Sequence, residues 1–105
     1  MERYVWKASV AEGMQEEYKR RHDELWPEME AELKEAGIRN YSIWICGREL
    51  FGYYECSFGR THSAAIQARS EIVRRWNEYM SDILIFESDP STGKRRSLTE
   101  VFYLA

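Results

Sequence analysis

The sequence predicts an α+β fold, in which helices cover one face of an antiparallel four-stranded sheet in the ferredoxin-like split βαβ arrangement. The order of the elements supports this prediction: segments of strand type and helical type follow one another as strand, helix, strand, strand, helix, strand. Composition supports it too, because 44% hydrophobic and 31% charged residues in 105 are typical of a globular protein. We expect one domain, residues 1–105.

The first strand and the first helical region are separated by Gly13. Residues 3–10 are rich in β-branched and aromatic types and predict a strand. A helical pattern then runs over residues 14–36, and Gly37 is expected to end it in the left-handed conformation. Pro27 lacks a backbone donor and crowds the preceding turn, so we expect a break near residues 23–26 and a second helical segment beginning at Pro27.

The second half of the chain begins with a predicted β-hairpin. Its strands cover residues 40–45 and 50–58, and its turn lies near Gly47 and Arg48. Cys46 is expected opposite about Leu50 and Cys56 opposite about Asn40, a register that brings the two thiols nowhere near bonding distance. We therefore expect free cysteines in a reducing compartment.

A second helical region and a last strand complete the predicted order. Thr61 is expected to cap a helix that carries three alanines between residues 64 and 68. A more strongly amphipathic stretch follows residues 70–71. Residues 87–96 have the composition of a polar loop, and the alternation over residues 97–104 predicts the fourth strand.

The predicted arrangement leaves one face of the sheet without helices. Aromatic residues make up 14% of the chain, more than a lone sheet of this size would expose. We therefore expect a homodimer in which two sheets pack against each other.

Charge and hydropathy exclude several partners. The net charge of −3 arises from 18 acidic and 15 basic residues that are interspersed, so no basic face is available for nucleic acid. No stretch approaches the ~18 apolar residues of a membrane span, and no secretion signal is recognisable. We expect a cytoplasmic protein with neither nucleic acid nor membrane as a partner.

The best candidate for chemistry is a stripe of Tyr18, His22 and Trp26, spaced four residues apart on one helix face. Apolar residues in the same register indicate that this face points inward. An imidazole can both donate and accept a proton near neutral pH, and Tyr18 could share that work. The alternative is a core histidine bonded to backbone.

Two further elements offer flat aromatic surfaces. Tyr41 begins the second strand and Trp76 lies in the last helix, where both could line a space between helices and sheet. Aromatic faces suit the C–H faces of sugars, and the Asn77 amide supplies directed hydrogen bonds. Alternatively, Trp76 simply anchors an amphipathic helix. The histidines and cysteines lack the spacing of metal ligands, and no phosphate-binding loop occurs, so we expect no metal and no cofactor.

Taken together and in order, several segments of the chain resemble the L-rhamnose mutarotase family. They are residues 17–18, 20–22, 26–28, 40–41, 75–76, 79–80 and 100–104. The resemblance covers nearly the whole chain. It implies a cytoplasmic, cofactor-free enzyme built as a dimeric α+β barrel of ferredoxin-like subunits, whose monosaccharide substrate is L-rhamnose and whose reaction interconverts the α and β anomers.

Individual residues match that family's site. His22 matches the acid/base histidine, Tyr18 and Tyr41 match sugar-contacting tyrosines, and Trp76 matches the first of two adjacent aromatic positions. Asn77 departs from the pattern, because many relatives have a second tryptophan there. We assign His22 as the donor to the ring oxygen, with Tyr18 or an ordered water as its counterpart.

Two other functions fit the same architecture, because a fold alone does not fix a reaction. A cofactor-independent monooxygenase would consume oxygen with an aromatic substrate. A non-catalytic sugar-binding module would bind a carbohydrate without exchanging its anomers. L-fucose or another 6-deoxy sugar is an alternative to L-rhamnose.

Overall fold

The computed structural model describes residues 1–88, 90–92 and 98–105. Four strands form one antiparallel sheet in the order β2-β3-β1-β4, and the helices cover one of its faces. This is the predicted α+β split βαβ topology. The elements are β1 (Glu2–Val10), α1 (Gln15–Asp23), α2 (Pro27–Glu35), β2 (Ile38–Cys46), β3 (Glu49–Cys56), α3 (Arg60–Arg69), α4 (Glu71–Met80) and β4 (Leu84–Phe86).

The break in the first helical region is confirmed. Trp26 has extended backbone angles, φ −61° and ψ 133°, and Pro27 is the first residue of α2. The Trp26 carbonyl accepts the first backbone bonds of α2, both at 3.0 Å. Gly37 has φ +82° and ends the region as predicted.

The prediction of a fourth strand at residues 97–104 was wrong. The fourth strand is β4, which pairs with Ala8–Val10 at the end of β1. Residue 97 lies outside the described residues, and residues 98–105, here called the tail, form no strand. The tail reaches β1 through one backbone bond, from Leu98 N–H to the Val5 carbonyl at 3.2 Å, and through an ion pair between Arg3 and Glu100 at 2.7 Å. The alternating pattern of the tail does not make it a strand, because a strand needs a continuous ladder of backbone hydrogen bonds to its neighbour.

The predicted cap at Thr61 was also wrong. The helix α3 begins one residue earlier, at Arg60, behind Gly59 with φ +87°. The Arg60 backbone N–H donates to the Glu2 carboxylate at 2.9 Å. A side chain of β1 thus satisfies one backbone donor in the first turn of α3, and the Thr61 hydroxyl does not cap the helix.

The hairpin turn at residues 47–48 is confirmed, but its register contains a β-bulge that was not predicted. Cys46 pairs with Glu49, whereas Cys56 pairs with Ile38 and not with Asn40. The shift lies between Arg39 and Ser42, where β2 carries one residue more than β3. Both cysteines are free, as expected; Cys46 is exposed and Cys56 buried.

The core lies between the sheet and the helices. The even-numbered residues Trp6, Ala8 and Val10 of β1 are buried against the helices. The Trp6 indole lies across Gly52 of β3, where an added Cβ would come within 2.0 Å of it, so this position requires glycine. None of the described helices has the length and apolar composition that crossing a bilayer requires.

Candidate active site

A cavity of about 1040 Å³ lies between the sheet and the helices. Its wall mixes aromatic side chains with hydroxyl, amide and imidazole groups. The structure brings five of the six residues singled out from the sequence into this one wall: Tyr18, His22, Tyr41, Trp76 and Asn77. The sixth, Trp26, packs against Trp76 and is not part of the lining.

His22 occupies the last turn of α1 and is half-buried. Its Nδ1 lies 3.0 Å from the backbone carbonyl oxygen of Tyr18. Because a carbonyl only accepts hydrogen bonds, we assign the proton to Nδ1, which leaves Nε2 as an acceptor. Burial lowers the pKa of His22 below its ordinary 6.5, against the smaller opposing effect of the backbone bond. The imidazole is therefore neutral at neutral pH, with Nε2 ready to take a proton.

Aromatic rings fix the orientation of this imidazole. The Tyr18 ring stacks on it with centroids 4.4 Å apart, and Trp76 meets it edge-on at 5.4 Å. Only 5% of Tyr18 is exposed. Burial raises the pKa of its phenol well above the ordinary range, so the hydroxyl stays protonated and available as a donor.

Trp76 belongs to a wall of packed aromatic side chains. It is 7% exposed and meets Trp26 at 5.1 Å with the rings perpendicular. Tyr79 packs against both indoles at 5.4 Å and 5.6 Å. Arg21 stacks on Tyr79 and bonds the Asp82 carboxylate at 2.8 Å, which ties α1 to the end of α4. Trp76 is thus a core residue and a wall of the cavity at once.

Asn77 follows Trp76 on α4 and is exposed at the mouth of the cavity. Its amide can reach a bound molecule only from the solvent side. Three charged lining residues are exposed as well: Lys19, Asp23 and Lys34.

The β-bulge brings Tyr41 into the cavity. In an uninterrupted strand Tyr41 would share a face with Arg39, away from the helices. The extra residue, Asn40 with φ +51°, reverses the alternation, so the Tyr41 ring packs against Tyr54 at 5.0 Å. Its hydroxyl accepts a hydrogen bond from Trp6 Nε1 at 3.0 Å, and burial of that hydroxyl raises its pKa.

Contacts on the opposite face hold the bulge. The Asn40 side-chain amide donates to Glu55 Oε1 at 2.7 Å, and the Tyr53 hydroxyl donates to Glu55 Oε2 at 2.6 Å. Asparagine suits this position because it tolerates the left-handed conformation better than other non-glycine residues.

Asn40→Val is expected to lower the free energy of unfolding by about 1–3 kcal/mol, because a β-branched residue is strained at positive φ. Asn40→Gly loses the same amide bond to Glu55 but keeps the backbone conformation, and should cost less. Urea denaturation of the two variants checks this. Equal losses would show that the Glu55 bond, and not the backbone conformation, sets the effect.

Several wall residues were not predicted from the sequence. Trp6, Tyr4 and Tyr54 face the helices because they occupy even positions on the paired strands β1 and β3, and Gln67 approaches from α3. Strand alternation could have identified the first three once the register was known. Within the described ranges, no three His, Cys, Asp or Glu side chains converge as metal ligands do.

Sequence comparison complements this geometry. The model of a family described as L-rhamnose mutarotase matches residues 3–104. The chain belongs to the L-rhamnose mutarotase family. An L-rhamnose mutarotase of Listeria monocytogenes is 41% identical over 108 residues, and one of Formosa agariphila is 39% identical over 106; the alignments cover 100% and 99% of both chains, respectively.

Structure comparison gives the same family. The crystal structure of L-rhamnose mutarotase from Formosa agariphila superposes with a TM-score of 0.78 at 36% identity, covering 100% of both chains. The L-rhamnose mutarotase fold therefore extends over this chain from end to end.

Proposed function

We propose that this chain interconverts the α and β anomers of L-rhamnose by acid/base-assisted ring opening and reclosure. The observation that carries the proposal is a neutral imidazole, that of His22, whose Nε2 is left as a proton acceptor in an aromatic-walled cavity. Full-length similarity to L-rhamnose mutarotases supports the choice of sugar.

The reaction moves one proton between two oxygens on the same carbon. In ring opening, Nε2 of His22 takes the proton of the anomeric hydroxyl, the C1=O double bond forms, and the C1–O5 bond breaks. His22, now an imidazolium, then gives this proton to the ring oxygen O5. Rotation about C1–C2 turns the other face of the aldehyde to O5, and the reverse transfers close the ring.

His22 and Tyr18 divide this work. Because Nδ1 is committed to a carbonyl, His22 first accepts and afterwards, as imidazolium, returns the proton. The sequence analysis assigned His22 only as the donor to the ring oxygen. In the present proposal His22 is the acceptor in the first proton transfer and the donor in the second. The Tyr18 phenol, kept protonated by burial, is the counterpart that stabilises O5 as its charge develops.

The remaining residues bind the sugar. Trp76 offers an apolar ring face to sugar C–H groups, and the hydroxyl of Tyr41 lies inside the cavity as a hydrogen-bonding group. Asn77 contacts the substrate from the mouth. Neither a metal nor a cofactor is required by this scheme.

The catalytic rate is expected to fall on the acid side only. A lowered pKa means that His22 is neutral above 6.5 and loses its acceptor as pH falls through its own, lower pKa. The pKa of Tyr18 is raised beyond the neutral range, so it produces no alkaline limb up to mildly basic pH. The profile of kcat/KM, corrected for uncatalysed exchange, checks this. A midpoint above 6.5 would contradict the assignment.

Polarimetry tests the proposed function. Freshly dissolved crystalline L-rhamnose should reach its equilibrium rotation faster with the protein than without it. Saturable binding without acceleration would indicate a sugar-binding module, and oxygen consumption with an aromatic substrate would indicate a monooxygenase. Acceleration with L-fucose and none with L-rhamnose would show that the substrate is a different 6-deoxy sugar.

The same proposal includes a cytoplasmic homodimer. The sheet face opposite the helices carries Trp44, which is 68% exposed, and Ile85, which is 48% exposed. Four further apolar side chains of the tail are exposed, from Val101 to Leu104. A second copy packed sheet against sheet would cover this surface. Sedimentation equilibrium should then give twice the chain mass of 12.6 kDa, whereas a monomer at all concentrations would contradict the dimer.

A further inference from the structure

A second polar group lies in the wall of the cavity and has no part in the proton transfers. It consists of Tyr54 on β3 and Gln67 on α3, with Tyr4 of β1 beside them. The rings of Tyr54 and Tyr4 are 5.1 Å apart, and the ring of Tyr54 is 5.0 Å from that of Tyr41. Tyr41 therefore connects this group to the rest of the site.

Gln67 is held in place from behind. Its Nε2 donates to the hydroxyl of Ser63 at 3.0 Å, and Ser63 is 1% exposed. This bond uses the amide nitrogen and leaves the amide oxygen of a cavity-lining residue able to accept. A side chain whose orientation is fixed before binding loses little entropy when a ligand arrives.

The hydroxyl of Tyr54 complements that amide. Burial raises its pKa to about 12, against a smaller effect of hydrogen bonding with Gln67. The phenol therefore keeps its proton at neutral pH and can donate as well as accept. The two residues together offer a paired donor and acceptor, the arrangement that recognises neighbouring hydroxyl groups.

These groups are polar where packing alone would favour apolar ones. Neighbouring helix-facing positions of the same strands carry Trp6, Ala8 and Leu50, all buried. Half-buried polar groups cost free energy unless they are hydrogen-bonded. Gln67 already bonds Ser63 and acts on Tyr54, so the hydroxyl groups of a ligand would use the donor and acceptor positions that these bonds leave over.

Resting on the proposed function, we propose that Tyr54 and Gln67 bind the sugar hydroxyls on the C3–C4 edge of the ring and set the substrate specificity of this enzyme. The elements that carry the two ends support this orientation. His22 of α1 has ring contacts with Tyr18 and Trp76, whereas Tyr54 of β3 has ring contacts with Tyr4 and Tyr41, so the two groups occupy different parts of the wall. A pyranose whose C1–O5 bond faces His22 has its C3–C4 edge on the opposite side.

The test compares Tyr54→Phe and Gln67→Leu with the native chain on L-rhamnose and on its 3-deoxy and 4-deoxy analogues. Each variant should raise KM for L-rhamnose roughly two- to tenfold and leave kcat nearly unchanged, because it removes uniform binding by one hydrogen bond. For the analogue that lacks the matching hydroxyl, the same substitution should leave KM unchanged. Tyr103→Phe is the matched control, because it removes a phenol of the tail that lies outside the cavity wall and keeps the ring stacked on Arg3.

Three results would overturn the proposal: an unchanged KM for L-rhamnose, an equal rise for L-rhamnose and both analogues, or a fall in kcat at constant KM. Melting temperatures of the variants separate these results from unfolding. If the native chain exchanges no anomers, the proposed function fails by itself, and calorimetric titration of L-rhamnose decides the present proposal. Weaker binding to both variants than to Tyr103→Phe would support it, and undiminished or absent binding would refute it.

Discussion

His22→Ala is expected to lower kcat for anomer exchange of L-rhamnose by about 10²–10⁴-fold, the usual contribution of general acid-base catalysis. The expectation follows from the single free ring nitrogen of His22, since its other nitrogen is committed to the Tyr18 carbonyl. The fold should survive, because the imidazole is half-buried and its Nδ1 hydrogen bond is to backbone. Exchange rates and circular dichroism of the purified variant check both statements.

His62→Ala is the matched control. His62 is exposed on α3 and contacts Phe58, away from the cavity wall. Its removal should leave kcat and stability unchanged. If His22→Ala unfolds, the imidazole is a structural residue, as the alternative sequence interpretation holds. If His22→Ala folds and keeps its rate, His22 has no catalytic role.

Trp76→Ala is expected to lower the free energy of unfolding by about 3–5 kcal/mol. The indole is buried against His22, Trp26 and Tyr79, and its loss leaves a void that these rings cannot fill without moving. For a small domain whose total stability is about 5–15 kcal/mol, this loss is a large share. Urea denaturation measures it.

Trp76→Phe separates packing from sugar binding. Phenylalanine retains an aromatic wall and most of the buried area, so this variant should lose much less stability than Trp76→Ala. A loss below about 1 kcal/mol for Trp76→Ala would contradict the core role, because large-to-small changes at packed positions cost more than that. In that case Trp76 would be only a surface for the ligand.

Local signals explain what could be predicted from the sequence. Pro27 and Gly37 act through their own backbone geometry, so the break before α2 and the end of α2 were correctly predicted. The turn at residues 47–48 is likewise set by neighbouring residues. The stacking of Tyr18 on His22 depends only on helical spacing within α1. The prediction that Trp26 shares this helix face was wrong, because Trp26 lies at the break before α2 with extended backbone and packs against Trp76 from there.

Features that depend on distant segments were not predicted. The cap of α3 is the Glu2 carboxylate from the other end of the sequence, and no residue near Thr61 indicates it. The β-bulge at Asn40 depends on the pairing register between β2 and β3, which the residues of β2 alone do not determine. The fourth strand, β4, is only three residues long. Alternation of apolar and polar residues cannot identify so short a strand, and the longer alternation in the tail predicts a strand there instead.

The same distinction applies to the site. Tyr41 was selected from the sequence, but its entry into the cavity depends on the unpredicted bulge. Tyr54 and Gln67 were missed because their convergence requires β3 and α3 to meet over the sheet. Residues on a single helix are therefore within reach of sequence analysis, whereas residues joined by strand register require the structure.

The measurement that tests this account most directly is exchange NMR between the two anomeric protons of L-rhamnose, with the native chain and with His22→Ala at equal concentration. We predict faster exchange with the native chain and a rate near the uncatalysed one with the folded variant. Equal exchange rates with and without the native chain, at a concentration where the sugar is seen to bind, would contradict the assignment of a mutarotase.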